Sequence, residues 1–482
     1  MSAMPTSFEV RRNAYAVCAI MLTALLIRWR ASLGEFWLDE IWSWFMVQVN
    51  VQSWSDVILT LKHDNNHFLN SWIIYGLGPE RDWTTYRLPA VLFGTATVAL
   101  AGWWGRRQGT SAGWFALVLT AGSYVLIHYS SEARGYAPLM FFSLLGFVAM
   151  ERALATGRMK WDAVWNLAAI FGVLSHPTFV TLFVSVALWS MISVATKSAS
   201  KGQAVVRFIR WHLLPVLFSG WVYRVNLSQL AIGGGLEQSP WVVIREALSL
   251  TMGGPFDGAG SIAAASAVAA SFAGCLSWLI ASGRKLTAFV FFMIIVAAPA
   301  ALVVFAGRSD LYVRYFLISI LFLLLLFSLA LGRLYQSSGV RRGFAVAITA
   351  VMFIGNAVHV ARLCDAGRGN YLAALEMIQQ QTQDDRVVIA SDNDFRHRLM
   401  ITFYQNYLKS PQPIFLSDGR SPNGSPEWLL LHHFEIDWQA EQVISPIEGT
   451  RYDLMKAFPY AGLSGWSLGV YRRAEDETVP KK

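Results

Sequence analysis

Charge is what this chain has least of. Asp, Glu, Lys and Arg make up 15% of its 482 residues and hydrophobic residues 55%, whereas a soluble domain carries roughly 25% charge. With a mean hydropathy of +0.41, an ordinary water-soluble globular domain is excluded. Cysteine is almost as scarce: Cys18, Cys275 and Cys364 show no Cys-x-x-Cys spacing, which supports neither a disulfide framework nor a zinc site. Glycine-rich phosphate loops of the dinucleotide or P-loop kind are missing too. The net charge of +8 lies largely in short basic loops between apolar stretches and does not imply nucleic acid.

What the chain does have is length without charge. A hydrocarbon core about 30 Å thick requires roughly 20 apolar helical residues. Stretches of that order recur at 88–105, 108–131, 258–283, 286–307, 315–332 and 343–361. An earlier one, near 13–33, carries Arg28 and Arg30 at its far end, where long cationic side chains can reach the interface. It has no small-residue cleavage site and is predicted to be an anchor. The stretch 163–196 holds no Asp, Glu, Lys or Arg, yet as one helix it would be about 50 Å long, too long for one crossing. His176-Pro177 interrupts it and basic residues flank both ends, so two short passes meeting at an outer turn are predicted. Applied throughout, the positive-inside rule gives about eleven spans with the C-terminus outside.

The predicted fold class is therefore an all-α polytopic membrane domain over 1–361, with a long first outer loop at 34–87, followed by a small extracytoplasmic α/β domain over 362–482. In that tail an amphipathic stretch at 370–381 and a helical 395–408 alternate with strand-like 386–390, 413–416, 428–432 and 467–471. It shows no acid–base constellation comparable with the membrane half; His397, His432 and His433 are its nearest candidates.

Four clusters fall on the predicted outer side. Asp39-Glu40 stands among tryptophans just after the first span, where paired acids are costly unless they meet water, a substrate or a cation; two acids opening a helix would also suit its macrodipole. His63-Asp64-Asn65-Asn66-His67 follows. Its histidines have the i, i+4 spacing of metal ligands on a helix face, or the stretch is a polar cap, with Asp64 or Asn65 as N-cap, for a helix over 67–78. Ser130-Ser131-Glu132-Ala133-Arg134-Gly135-Tyr136 lies at a junction of two spans and reads either as a site or as an interfacial turn. Arg308, Asp310, Arg314 and Tyr315 lie at another, and their charges run against the positive-inside bias. Guanidinium suits bidentate phosphate binding. Four clusters on one side imply one site.

In their order, Trp-Leu-Asp-Glu (37–40), Asn-Asn-His (65–67), Tyr-Arg-Leu-Pro (86–89), Tyr-Ser-Ser-Glu-Ala-Arg-Gly-Tyr (129–136), His-Pro-Thr (176–178) and Val-Arg-Tyr-Phe (313–316) resemble the GT-C superfamily of integral-membrane glycosyltransferases. The likeness is to the branch shared by protein O-mannosyltransferases, aminoarabinose transferases and Rgt-type sugar transferases, and it covers about 1–361. Where several relatives carry Pro-Pro, this chain has Phe68-Leu69.

The resemblance implies a bacterial cytoplasmic (inner) membrane protein with its active site and C-terminal domain on the periplasmic side. It further implies a polyprenyl-phosphate sugar as donor and a glycan, lipid or protein hydroxyl as acceptor. Asp39 maps to the proposed general base and Glu40 to its partner; Arg134, Arg314 and Tyr315 fall where the donor phosphate would bind. His63, Asp64, His67, Glu132 and His176 are left for positioning substrate. No metal ligands are assigned, although a divalent cation is compatible with the acids. The residues support the same chemistry on their own terms, since sugar transfer from a phosphate ester needs a base for the acceptor proton and cations for the departing phosphate. Two other classes compete. A secondary transporter would need polar groups near the midplane; a non-catalytic assembly or sensor protein would keep its function without the loop acid.

Overall fold

The computed structural model describes residues 7–474 except 198–199, 236, 307–310, 338, 410–411, 418–424, 437 and 448–449. Arg308 and Asp310 thus lie outside the described residues. The chain divides into two units, one comprising Met1–Ser32 and Met46–Val360, the other Leu33–Phe45 and Ala361–Lys482.

The first unit is helical. Among the described residues, eight helices are long and apolar enough to cross a membrane, including Trp83–Gln108, Tyr136–Thr156, Phe179–Thr196 and Gly258–Ala281. The protein is accordingly a multi-pass membrane protein. The sequence count of about eleven exceeds this: Thr110–Gly122 and Met159–Ser175 are only 13 and 17 residues long, while Lys201–Val225 carries basic residues along its length.

Two predicted spans are less regular than their apolarity implies. The stretch 108–131 breaks at Ser123, whose backbone is extended (ψ 119°), into helices Thr110–Gly122 and Tyr124–Tyr129. The Tyr124 N–H released by the break donates to the buried Asn356 Oδ1 at 2.7 Å, which makes the break tolerable in an apolar interior. The stretch 286–307 contains a π-helical turn at Met293–Ala297, and Ser319 Oγ donates to its Ile294 carbonyl at 3.2 Å. The 163–196 stretch does form two helices, Met159–Ser175 and Phe179–Lys197, parted by His176 and Pro177. Helices approach closely where small residues meet: a Cβ on Gly332 would lie 2.7 Å from the Ala112 nitrogen.

The second unit is built on a six-stranded sheet of order β2-β1-β3-β6-β5-β4. Its strands are β1 (Val387–Ser391), β2 (Ile414–Leu416), β3 (Trp428–His433), β4 (Val443–Ile447), β5 (Thr450–Phe458) and β6 (Ser467–Arg473). β1 pairs in parallel with both β2 and β3, whereas β3, β6, β5 and β4 pair antiparallel. Helices Tyr371–Gln381 and Asp394–Tyr404 complete the unit, the latter capped by Asn393, whose side chain accepts from the Arg396 N–H at 3.1 Å.

Leu33–Phe45 is tied to this unit by aromatic contacts and a buried acid. Phe36 stacks on Phe403 at 5.8 Å, Trp42 meets Phe395 at 5.4 Å, and the Phe36 carbonyl accepts from Tyr404 Oη at 2.7 Å. Glu35 accepts from the N–H groups of Leu372 (2.8 Å) and Ala373 (3.4 Å) at the start of helix Tyr371–Gln381. Burial still outweighs these donors and pushes the Glu35 carboxyl up to about 7. A carboxyl held above its unfolded value gives stability that is fully present below about pH 4.5 and is lost as pH rises through about 7. Glu35→Gln should therefore gain in melting temperature relative to wild type between about pH 5 and pH 8. Parallel melting curves for the two proteins across that range would refute this assignment.

Candidate functional site

The site in the membrane unit assembles from helix ends. Asn65 to His67 end the loop before helix Phe68–Leu77; Glu132 to Gly135 form the turn before Tyr136–Thr156; His176 to Thr178 form the turn before Phe179–Lys197. Val313–Phe316 is a short 3-10 turn leading into helix Leu317–Gln336. All four meet. The His67 ring lies 4.7 Å from His176 and 5.1 Å from Tyr136, and His176 lies 6.1 Å from Tyr315.

His67 holds this junction together. It occupies the N-cap position of Phe68–Leu77 but makes no side-chain cap bond; its Nδ1 instead accepts the Gly135 N–H at 2.8 Å. That bond puts the ring proton on Nε2. Burial, then the neighbouring Arg134, His176 and Arg314, hold the ring well below its ordinary pKa, so His67 is neutral at neutral pH. Neither Asp64 nor Asn65 caps this helix, because their side chains are committed elsewhere. Asp64 Oδ1 accepts from the Gly233 N–H at 3.2 Å, and Asn65 Oδ1 accepts from Arg134. Residues 63–67 are not helical: His63 forms an isolated parallel bridge with Ala231, so the i, i+4 geometry of a helical metal pair does not arise. His63 and Asp64 sit 3.1 Å apart at the rim of the cluster, both part-exposed.

The two arginines differ in setting. Arg134 is 3% exposed; its Nη1 donates to the Asn65 carbonyl at 3.2 Å and its guanidinium lies 5.7 Å from the Tyr136 ring. It is fixed by the loop it fixes. Arg314 is half-buried and stacks over Tyr312 at 4.2 Å, with Tyr315 at 5.7 Å. Cation–π contact with the two rings orients the guanidinium. Glu132 is fully buried and pairs with His128 Nε2 at 3.1 Å, one helical turn away. His176 Nδ1 meets Thr178 Oγ1 at 2.8 Å, closing the His-Pro turn on itself.

Gly135 shows how tight the junction is. A Cβ there would lie 2.0 Å from the Ser175 carbonyl oxygen and 2.9 Å from His67 Cβ. Gly135→Ala must shift the backbone, break the bond to His67 and tilt Arg134; overpacking of this kind costs about 1–3 kcal/mol. A lowered melting temperature in detergent is the expected result, and wild-type melting would show that the turn is slack.

Asp39 and Glu40 belong to the other unit, in the first turn of helix Leu38–Asn50. Glu40 is fully buried and accepts from the Trp37 N–H at 3.4 Å; Asp39 is part-exposed, and its carbonyl accepts from Ser43 Oγ at 2.8 Å. The adjacent acids thus have different environments, one turned inward and one toward solvent. Sequence reasoning offered Asn65 only as a helix cap, not as the carboxamide that holds Arg134, and did not single out Tyr312, over which Arg314 stacks.

These features define a polytopic membrane protein with buried imidazole and guanidinium groups gathered where helices end, and with a separate α/β unit. Among solved structures the chain is similar to ArnT from Cupriavidus metallidurans in the apo state, at 14% identity and a TM-score of 0.51, covering 84% of this chain and 86% of that one. A structure of ArnT from the same organism bound to undecaprenyl phosphate matches at 15% identity and a TM-score of 0.48, over 83% and 85% of the two chains. No family model matches the chain, and no curated protein matches it by sequence. The likeness is one of fold, and the fold implied by the ordered motifs is the fold found.

Proposed function

We propose that the protein is a glycosyltransferase that moves a sugar from a polyprenyl-phosphate donor to an acceptor hydroxyl of a glycan, lipid or protein at the periplasmic face of the bacterial cytoplasmic membrane. The observation that carries this reading is the convergence of Arg134 and Arg314 with His67 and His176 at the ends of membrane helices. An anionic headgroup whose lipid tail stays in the bilayer meets cations there without crossing apolar protein. The ArnT-like fold agrees with it.

In this reading Asp39 takes the acceptor proton as the acceptor oxygen bonds to the anomeric carbon. The bond from that carbon to the phosphate oxygen breaks, and polyprenyl phosphate leaves with its charge held by Arg314, Arg134 assisting. A single displacement inverts the anomeric centre, as in inverting glycosidases. Tyr315 steadies Arg314, and His67, neutral and buried, positions the loop of Arg134. His63, Asp64 and His176 line the approach. A secondary transporter is the weaker reading, because the clustered polar groups sit at helix termini and not along the middle of the spans.

The test is transfer of labelled sugar from a polyprenyl phosphate in reconstituted membranes, together with mass spectrometry of lipid-linked and surface glycans from cells with and without the protein. Unchanged glycans and no transfer with any such donor would refute the proposal.

A further inference from the structure

The α/β unit gathers a second set of side chains that its sequence keeps far apart. Asp392 directly follows β1, His397 is in the first turns of helix Asp394–Tyr404, and His432 is near the end of β3. One Asp392 oxygen lies 2.6 Å from His432 Nδ1 and the other 3.6 Å from His397 Nδ1. The candidate ligating atoms of the three residues all lie within 4.8 Å of one another. The expectation that the tail has no clustered constellation is corrected here: fold topology, not spacing, brings the residues together.

Position in the sheet points to a ligand. β1 and β3 are parallel neighbours, and the chain leaves β1 through helix Asp394–Tyr404 to reach β2 on the opposite side. The carboxyl ends of β1 and β3 therefore flank a point where strand order reverses, the place where open α/β sheets bind ligands. His397 is fully buried, and its Nε2 has no hydrogen-bond partner among the described residues. Its Nδ1 meets Ser391 Oγ at 2.5 Å.

We propose that Asp392, His397 and His432 form a binding site for a divalent transition metal of the Zn2+ class. One carboxylate and two imidazoles are a donor set suited to Zn2+, and three protein ligands leave a fourth position for water or a substrate oxygen on the solvent side, where Asp392 is exposed. Arg396 is the gate. Its Nη1 hydrogen-bonds His432 Nε2, and its guanidinium also lies 5.2 Å from the Phe434 ring and 5.3 Å from Trp466. A metal on His432 Nδ1 leaves the ring proton on Nε2, and a metal on Nε2 takes that atom's lone pair, so either way the bond from Arg396 is lost. Metal entry therefore moves Arg396 off the imidazole and onto these aromatic faces.

The site is independent of the proposed transfer reaction, and its test reads metal and not sugar. Tag-free full-length protein in detergent is titrated with Zn2+ by calorimetry, and bound Co2+ is followed by its d–d absorption. About one equivalent is expected, weakened at least about tenfold in Asp392→Asn and in His432→Gln and tightened in Arg396→Gln. His433→Gln should leave it unchanged, since His433 stacks on Trp438 at 4.0 Å and neighbouring strand residues face opposite ways. Asp392→Asn is the deciding variant, because it keeps the size of a side chain at the surface end of β1 and so opens no core. Absence of binding to the wild-type protein, or equal affinity in wild type and Asp392→Asn, would overturn the site.

Discussion

Asp39→Asn is expected to slow sugar transfer by about 10²–10⁴-fold while leaving donor binding close to that of the wild type. Asparagine keeps the size and most of the hydrogen bonding of the carboxylate but has no basic lone pair for the acceptor proton. The neighbouring acid cannot substitute, for two reasons. Adjacent residues on a helix project about 100° apart, and Glu40 is fully buried against the Trp37 N–H, whereas Asp39 is part-exposed. Glu40→Gln should therefore act on the stability of the first turn of helix Leu38–Asn50 more than on the chemical step. The measurement is single-turnover transfer in reconstituted membranes with donor binding determined separately. Full activity in Asp39→Asn, or a chemical defect confined to Glu40→Gln, would assign the base elsewhere.

The second large effect concerns donor affinity. Losing a charge-assisted contact to phosphate is worth about 1.5–3 kcal/mol, so Arg314→Ala should weaken donor binding by about 10- to 150-fold. Arg314→Lys should recover only part of it, because an ammonium offers a point charge in place of a planar fork and stacks less well on Tyr312. Arg134→Ala makes a useful contrast. That guanidinium also secures the Asn65 carbonyl across 69 positions of sequence, so its loss should lower melting temperature together with affinity. Unaltered donor affinity in Arg314→Ala would remove this residue from the phosphate site.

Much of this architecture could be read from the chain because the membrane makes its demand one residue at a time: a span must lack charge over its whole length. The helix at Gly258–Ala281 and the His176-Pro177 turn are legible for that reason. Interruptions are less so, since Ser123 and the π-turn at Met293–Ala297 depend on partners, Asn356 and Ser319, supplied from distant helices. In the tail, β1, β2, β3 and β6 show as apolar runs, but β4 and β5 are edge-side strands with exposed positions and a proline, and their pattern resembles loop. The segments of the membrane-unit site could be named from sequence because charged and imidazole groups are rare in such a chain. What each one does there could not, since Gly135 holds His67 and Asn65 holds Arg134 only through the folded turn. The Asp392, His397 and His432 cluster was illegible for the opposite reason: each residue is ordinary in a soluble context, and only the parallel pairing of β1 with β3 makes them neighbours.

Because Leu33–Phe45 packs with residues made far later, the order of synthesis matters for this protein. Phe36 and Trp42 leave the ribosome about 350 residues before Phe403 and Phe395, and at roughly 5–20 residues per second they wait on the order of tens of seconds for those partners. During that interval the nascent chain carries the aromatic segment without Phe403 and Phe395. Phe36 and Trp42 therefore gain the ring partners they have in the fold only near the end of synthesis.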